Sequence, residues 1–170
     1  MFILLIGPKG CGKTYLGQSL ERVLGVRFFH VEPLWMAWNA ECRGAGRAPN
    51  LAGGIAAVHP KLAEALGAYE HVCVETTGAS REILEGLLAL QPRTRTLLVR
   101  ISAPLDVCLE RIAARDATHQ LPADEATIRK VHALSEALEL DADLSFENAG
   151  LAEATFVERV AQALRARAED

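Results

Sequence analysis

The sequence has no apolar run long enough for a membrane span: its opening FILLI, Phe2 to Ile6, stops far short of the roughly 20 residues a bilayer requires. Neither a basic lead-in nor a small-residue cleavage site accompanies that run, so no leader peptide is expected. Basic residues are in deficit, with 18 Lys and Arg against 22 Asp and Glu and a formal net charge of −4. A general nucleic-acid binder needs the opposite balance, because cationic side chains must displace counterions from phosphates. The four cysteines, Cys11, Cys42, Cys73 and Cys108, stand far apart and form no metal-type or redox-type pair. Cys73 and Cys108 fall in or beside apolar segments and read as small core residues. His59, His71, His119 and His132 show no ligand spacing and read as structural or surface groups. No repeat, low-complexity segment or linker divides the chain. The expectation is one soluble domain over residues 1–170, reduced and cytoplasmic, a monomer or weak homodimer with no membrane partner.

What the sequence does contain is alternation. MFILLIG is a continuous apolar run closed by glycine, as a strand buried on both faces should be. Leu16, Leu20, Val23 and Leu24 then recur at helical spacing, and Gly25 stops the helix. VRFFHV (26–31), VCV within AYEHVCVETTG, TRTLLVRI (94–101) and DLSFEN (143–148) are further strand candidates. Helices are expected from about Ser80 to Leu90, after Pro104, and around Phe156, Val157, Val160 and Leu164. Strands alternating with helices imply an α/β fold, a mainly parallel sheet covered on both sides. Two stretches break the rhythm: residues 32–54, with Trp35, Trp38, Arg43 and Arg47, and the polar residues 116–125. Ligands of parallel α/β domains sit beyond the carboxyl ends of the strands, where such excursions lie.

GPKGCGKT, residues 7–14, fills every fixed position of the P-loop pattern G-x-x-x-x-G-K-[ST] with Gly7, Gly12, Lys13 and Thr14. Gly7, Gly10 and Gly12 let the backbone wrap a phosphate with its N–H groups turned inward, and Pro8, Lys9, Cys11 and Tyr15 complete the segment. Cys11 is expected to contribute only its backbone N–H. The helix from Lys13 adds its positive end. Lys13 can reach the β- and γ-phosphates of a nucleotide, and the Thr14 hydroxyl can ligate Mg²⁺. No N-K-x-D motif follows a strand, which speaks against a Ras-like GTPase. Arg111 and Arg115 are four apart on one helical face, suited to a transferring phosphoryl group or, alternatively, to surface pairing with Asp116 or Glu110. Glu75 ends the apolar strand HVCVE, where it can hold Mg²⁺ through a water, act as a base, or simply be solvated.

The whole chain resembles small P-loop kinases of the shikimate kinase and nucleoside monophosphate kinase superfamily. The resemblance is carried by FILLIGPKGCGKTYLGQSLERVLGVRFF, by CLERIAARD with Arg111 and Arg115 in R-x-x-x-R places, and by DLSFENAG. It implies a P-loop NTPase fold, a three-layer α/β/α sandwich with a five-stranded parallel sheet in the order 2-3-1-4-5. It implies an acceptor-side flap at about 32–60 and a short lid at about 115–125 closing over ATP. Phe28, Phe29, His30, Val31 and Glu32 match an F-x-D-x-D stretch, which puts His30 in place of one aspartate and Glu32 where an acceptor-activating aspartate would stand, the alternative for Glu32 being a solvated strand-end carboxylate. Thr76 to Gly78 resembles the turn facing the acceptor, and Asn148 to Gly150 the segment passing the adenine, or equally a strand-to-helix turn. The shikimate-reading arginine and the triple glycine are missing, so shikimate is not the expected acceptor. Trp35, Trp38, Arg43 and Arg47 either cover the acceptor or pack a flap on the core. The leading expectation is an ATP- and Mg²⁺-dependent phosphotransferase acting on a small hydroxyl- or phosphate-bearing molecule. The alternatives are a slowly hydrolysing nucleotide switch and a polynucleotide 5′-hydroxyl kinase.

Overall fold

The computed structural model describes residues 1–115 and 123–169. Its strands are β1 (Phe2–Ile6), β2 (Arg27–Phe28), β3 (Val72–Thr76), β4 (Thr96–Ser102) and β5 (Leu144–Glu147). The helices described are α1 (Lys13–Leu24), α2 (Val31–Gly44), α3 (Leu51–Ala68), α4 (Arg81–Leu88), α5 (Leu105–Ala113), α6 (Glu125–Glu136) and α7 (Glu153–Glu169). All pairings are parallel and the strand order is β2-β3-β1-β4-β5. This is the order that the resemblance implied.

β1 lies at the centre, wholly buried, and its alternation sorts the core into two layers. Ile3 and Leu5 pack with Leu16 and Leu20 of α1, Cys108 of α5, and Phe156 and Val160 of α7. Phe2, Leu4 and Ile6 pack on the opposite face with Leu62 of α3 and Leu84 and Leu87 of α4. Helices thus cover both faces of the sheet, giving three layers. The four cysteines are buried free thiols, and Cys73 and Cys108 belong to the core as expected. Among the described residues no helix is long and apolar enough to cross a membrane.

The structure differs from the sequence reading between residues 29 and 68. The second strand is only Arg27–Phe28, and α2 starts at Val31, so Glu32 stands in the first turn of a helix. The residues expected to form an acceptor-side flap, about 32–60, belong largely to α2 and α3. Gly53 and Gly54 sit in the first turn of α3 because Trp38 and Trp35 lie against them: a Cβ on either would come within 2.4 Å of an indole carbon. Packing of the two indoles thus outweighs the poor helix propensity of glycine. The Asn50 side chain caps α3 by accepting from Gly53 N–H at 2.8 Å.

Arg100 of β4 donates to the carbonyl oxygens of Ser135, Glu136 and Leu138 at the end of α6. A guanidinium is well placed there, where helix carbonyls lack internal partners. Asp143 accepts from Arg93, from Leu98 N–H and from Arg167, fixing the approach to β5 against β4 and α7.

Candidate active site

Parallel register brings the carboxyl end of β3 beside that of β1: Leu5 lies opposite Glu75, and Ile6 opposite Thr76. Gly7 N–H then donates to Thr76 O at 3.2 Å, which anchors the start of the glycine loop. Gly10 and Gly12 turn the loop at φ 87° and 96°, in the left-handed region that side chains disfavour. Gly12 is also the N-cap of α1 and offers no side-chain cap, so the first-turn N–H groups point toward whatever the loop encloses.

Lys13 is buried, and its Nζ donates to Gly7 O and Pro8 O, each at 2.8 Å. The third contact of the ammonium, to Cys11 Sγ at 3.8 Å, is the weakest of the set. Thr14 Oγ1 donates to Glu75 Oε1 at 2.8 Å, placing a hydroxyl and a carboxylate side by side at the mouth of the loop. Tyr15 turns away from the loop; its side chain is exposed and its hydroxyl bonds to Glu153 of α7.

On the other side of the loop, Asn148 Nδ2 donates to Cys11 O at 2.8 Å, while its backbone N–H donates to Ser102 O. Arg111 Nη2 donates to Asn148 O at 2.8 Å. Its Nη1 is buried without a hydrogen-bond partner among the described residues and lies 3.8 Å from where a Cβ on Gly12 would stand. An orphaned guanidinium N–H beside a glycine loop is suited to an anionic oxygen. Thr14 and Glu75 supply hard oxygen donors of the kind Mg²⁺ takes when substrate phosphates and waters complete its shell. No group of three or more His, Cys, Asp or Glu among the described residues could hold a metal ion by itself. The nucleotide and Mg²⁺ therefore both fit the residues present.

Beyond the loop a cavity of about 390 Å³ opens under α2, α3 and α4. Lys9, Lys13, Thr14, Glu75 and Arg115 line its phosphate end. Glu32 reaches it from α2, with Oε1 3.8 Å from Lys9 Nζ. Burial pulls the Lys9 ammonium below its ordinary value and Arg115 and Lys13 add to this, while Glu32 opposes them. Arg115, exposed at the end of the described segment, belongs to this cavity; Arg111 does not line it. α5 ends at Ala113, so Arg115 stands beyond the helix and does not share a helical face with Arg111 as the spacing suggested. The remainder of the expected lid, residues 116–122, and His119 lie outside the described residues.

Of the four flap residues singled out, only Trp35 lines the cavity. Trp38 meets it edge-on with ring centroids 6.2 Å apart, and Arg43 and Arg47 are exposed outside the lining. Sequence reasoning missed the apolar wall made by Val31, Ile55, Val58, Ile83 and Leu87. Its signal was available as i,i+4 spacing, Val31 with Trp35 and Ile83 with Leu87.

A family model described as an AAA domain matches residues 2–138. The chain belongs to that family. Within this AAA-domain family member the P-loop, Glu32, Glu75, Arg111 and Arg115 all lie inside the matched region, while Asn148 lies beyond it.

Solved structures match almost end to end. A sugar kinase from Janibacter sp. HTCC2649 is 15% identical, with 96% of this chain and 94% of that one covered and a TM-score of 0.69. A shikimate kinase from Acinetobacter baumannii, in complex with shikimate, is 21% identical over 97% and 93% of the chains, with a TM-score of 0.64. A tunicamycin resistance protein from Deinococcus radiodurans is 20% identical over 96% and 94%, with a TM-score of 0.69. At these identities the likeness is one of fold.

Proposed function

We propose that this AAA-domain family member is a phosphotransferase moving the γ-phosphoryl of ATP, with Mg²⁺, to a small hydroxyl- or phosphate-bearing acceptor. The observation that carries the reading is that the Thr14–Glu75 pair and Glu32 open into one cavity, which extends from the phosphate cradle to the space lined by α2, α3 and α4. A nucleotide switch needs the cradle but has no use for that space.

The loop N–H groups and the α1 N-terminus hold the β-phosphate, and Lys13 turns its weakest contact, toward Cys11, into one with a phosphate oxygen. Thr14, and Glu75 through a water, would hold Mg²⁺, which would supply charge neutralisation to the outer phosphates. Arg111 offers Nη1 from one side of the loop and Arg115 approaches from the cavity side, so both face charge that grows during transfer. The bond from γ-phosphorus to the β,γ-bridging oxygen breaks, a new bond forms to the acceptor oxygen, and ADP leaves. Glu32 orients the acceptor and takes the hydroxyl proton, passing it on to solvent. Glu75, already committed to Thr14, serves the metal. Asn148 positions the loop and Arg111 beside the nucleotide.

ADP formation from Mg·ATP tests this reading. A stoichiometric rise in ADP and phosphomonoester on adding an acceptor supports it, and ADP formation blind to every alcohol and phosphate offered speaks for the switch.

A further inference from the structure

Three helices each present an i,i+4 pair to the cavity: Val31 and Trp35 from α2, Ile55 and His59 from α3, Ile83 and Leu87 from α4. We propose that the acceptor is an uncharged alcohol with a compact apolar body, such as a single ring or short branched chain carrying a hydroxyl. This rests on the phosphotransferase reading and adds the class of molecule that receives the phosphoryl group.

Charge inside the cavity argues first. Lys13, Thr14 and Arg115 lie at the phosphate end, and Lys9 is paired with Glu32 at 3.8 Å. Arg43 and Arg47 of the same flap are exposed and outside the lining. The helical wall described therefore gives a carboxylate or phosphate acceptor no cation, and it sets the carboxylates of Glu32 and Glu75 in the same chamber. An anion held on that wall meets no Lys or Arg from α2, α3 or α4, since the cations of the cavity are Lys9, Lys13 and Arg115.

Hydrogen-bonding capacity argues next. A polyol needs a partner for each hydroxyl it buries, and each one left unmade carries a desolvation penalty. The wall opposes Val31, Trp35, Ile55, Val58, Ile83 and Leu87 to that need. Its polar groups are His59, Thr76 and Thr77, and each threonine hydroxyl has one acceptor position taken by a backbone N–H, from Gly78 and Ala79.

Shape completes the argument. Trp35 is wedged between Gly54, whose added Cβ would stand 2.4 Å from its ring, and the edge of Trp38. This makes the aromatic wall a fixed surface. A volume of about 390 Å³, shared between the transferred phosphoryl and the acceptor, falls at the small end of ligand sites.

The test compares three alcohols of similar reach, 2-phenylethanol, 4-(hydroxymethyl)benzoate and erythritol. Binding is read by quenching of Trp35 and Trp38 in the presence of Mg²⁺ and a non-hydrolysable ATP analogue, and transfer is followed in parallel with γ-labelled ATP. The expected result is 2-phenylethanol binding at least about tenfold more tightly than the other two, with label appearing on it. Ile55→Arg should reverse the order in favour of the benzoate, and Ile83→Arg should do the same from a different helix should the first variant not fold. Preference of the unmodified protein for the benzoate or erythritol, or saturation by none of the three, overturns the proposal. Label moving only to the benzoate or erythritol overturns the acceptor class and leaves the phosphotransferase reading intact. The expected binding order with no label on any alcohol instead removes the phosphotransferase reading while supporting the ligand class.

Discussion

Thr14 Oγ1 donates to Glu75 Oε1 at 2.8 Å, linking the first turn of α1 to β3 across 61 residues of sequence. The bond places two oxygen donors side by side at the mouth of the glycine loop. Glu75→Gln keeps the size and the acceptor oxygen but removes the charge. It should lower phosphoryl transfer at least about tenfold and raise the Mg²⁺ concentration needed for half-maximal rate. A magnesium titration unchanged by Glu75→Gln would take Glu75 away from the metal.

Lys13 is buried on the loop it follows, bonded to Gly7 O and Pro8 O. Lys13→Ala should cut transfer at least about tenfold, equal to about 1.4 kcal/mol of transition-state stabilisation. Measuring kcat and ATP affinity separately checks whether the loss falls on the chemical step or on binding.

Arg111 reaches the site as a planar fork, one arm on Asn148 O and the other without a hydrogen-bond partner among the described residues. Arg111→Lys keeps the charge but cannot supply both arms, so it should lose nearly as much transfer as Arg111→Ala, again at least about tenfold. Steady-state rates of the two variants side by side decide the point; full rescue by lysine would reduce the role to charge alone.

Gly54 does not line the cavity, yet it sets the position of Trp35, which does. Gly54→Ala should cost about 1–3 kcal/mol of stability through overpacking, read by chemical denaturation. It should also raise the acceptor KM, with ATP affinity retained. A matching loss of ATP affinity would mean that the disturbance spreads beyond the acceptor wall.

Asp143 carries an acid-sensitive tie. Burial works to raise its carboxyl, but the hydrogen bonds from Arg93 and Leu98 N–H and the charges of Arg167 and Arg93 outweigh it, holding the group below its ordinary 3.8. A depressed carboxyl contributes its full stabilisation above the unfolded value near 3.8 and loses it as pH falls through the lower folded value. Asp143→Asn should therefore cost about 1–3 kcal/mol at neutral pH, and the difference from the parent protein should shrink on acidification below pH 4. Urea midpoints measured across that range report it.

The sheet was legible because β1 and β3 are buried on both faces and read as apolar runs, and because the glycine loop follows one of them directly. Its strand order came from the family resemblance, since periodicity carries no order. Residues 29 to 68 were harder to read. Gly53 and Gly54 look like a loop in the sequence and are helical because two indoles lie on them. Val31 continues an apolar run yet begins α2, so the segment reads as a longer strand than the two residues that pair. In the site, motif spacing points to the loop and to Thr14, and the strand end to Glu75, while the bond between the two becomes visible only in the fold. The apolar wall needed the third dimension, because its three helices meet only after folding.

The most direct measurement incubates the protein with γ-labelled ATP, Mg²⁺ and a small-molecule cell extract, with Lys13→Ala alongside. The account predicts label in an organic phosphomonoester, formed by the parent protein and lost in the variant. Label recovered solely as free phosphate, at a rate the extract does not change, would contradict it.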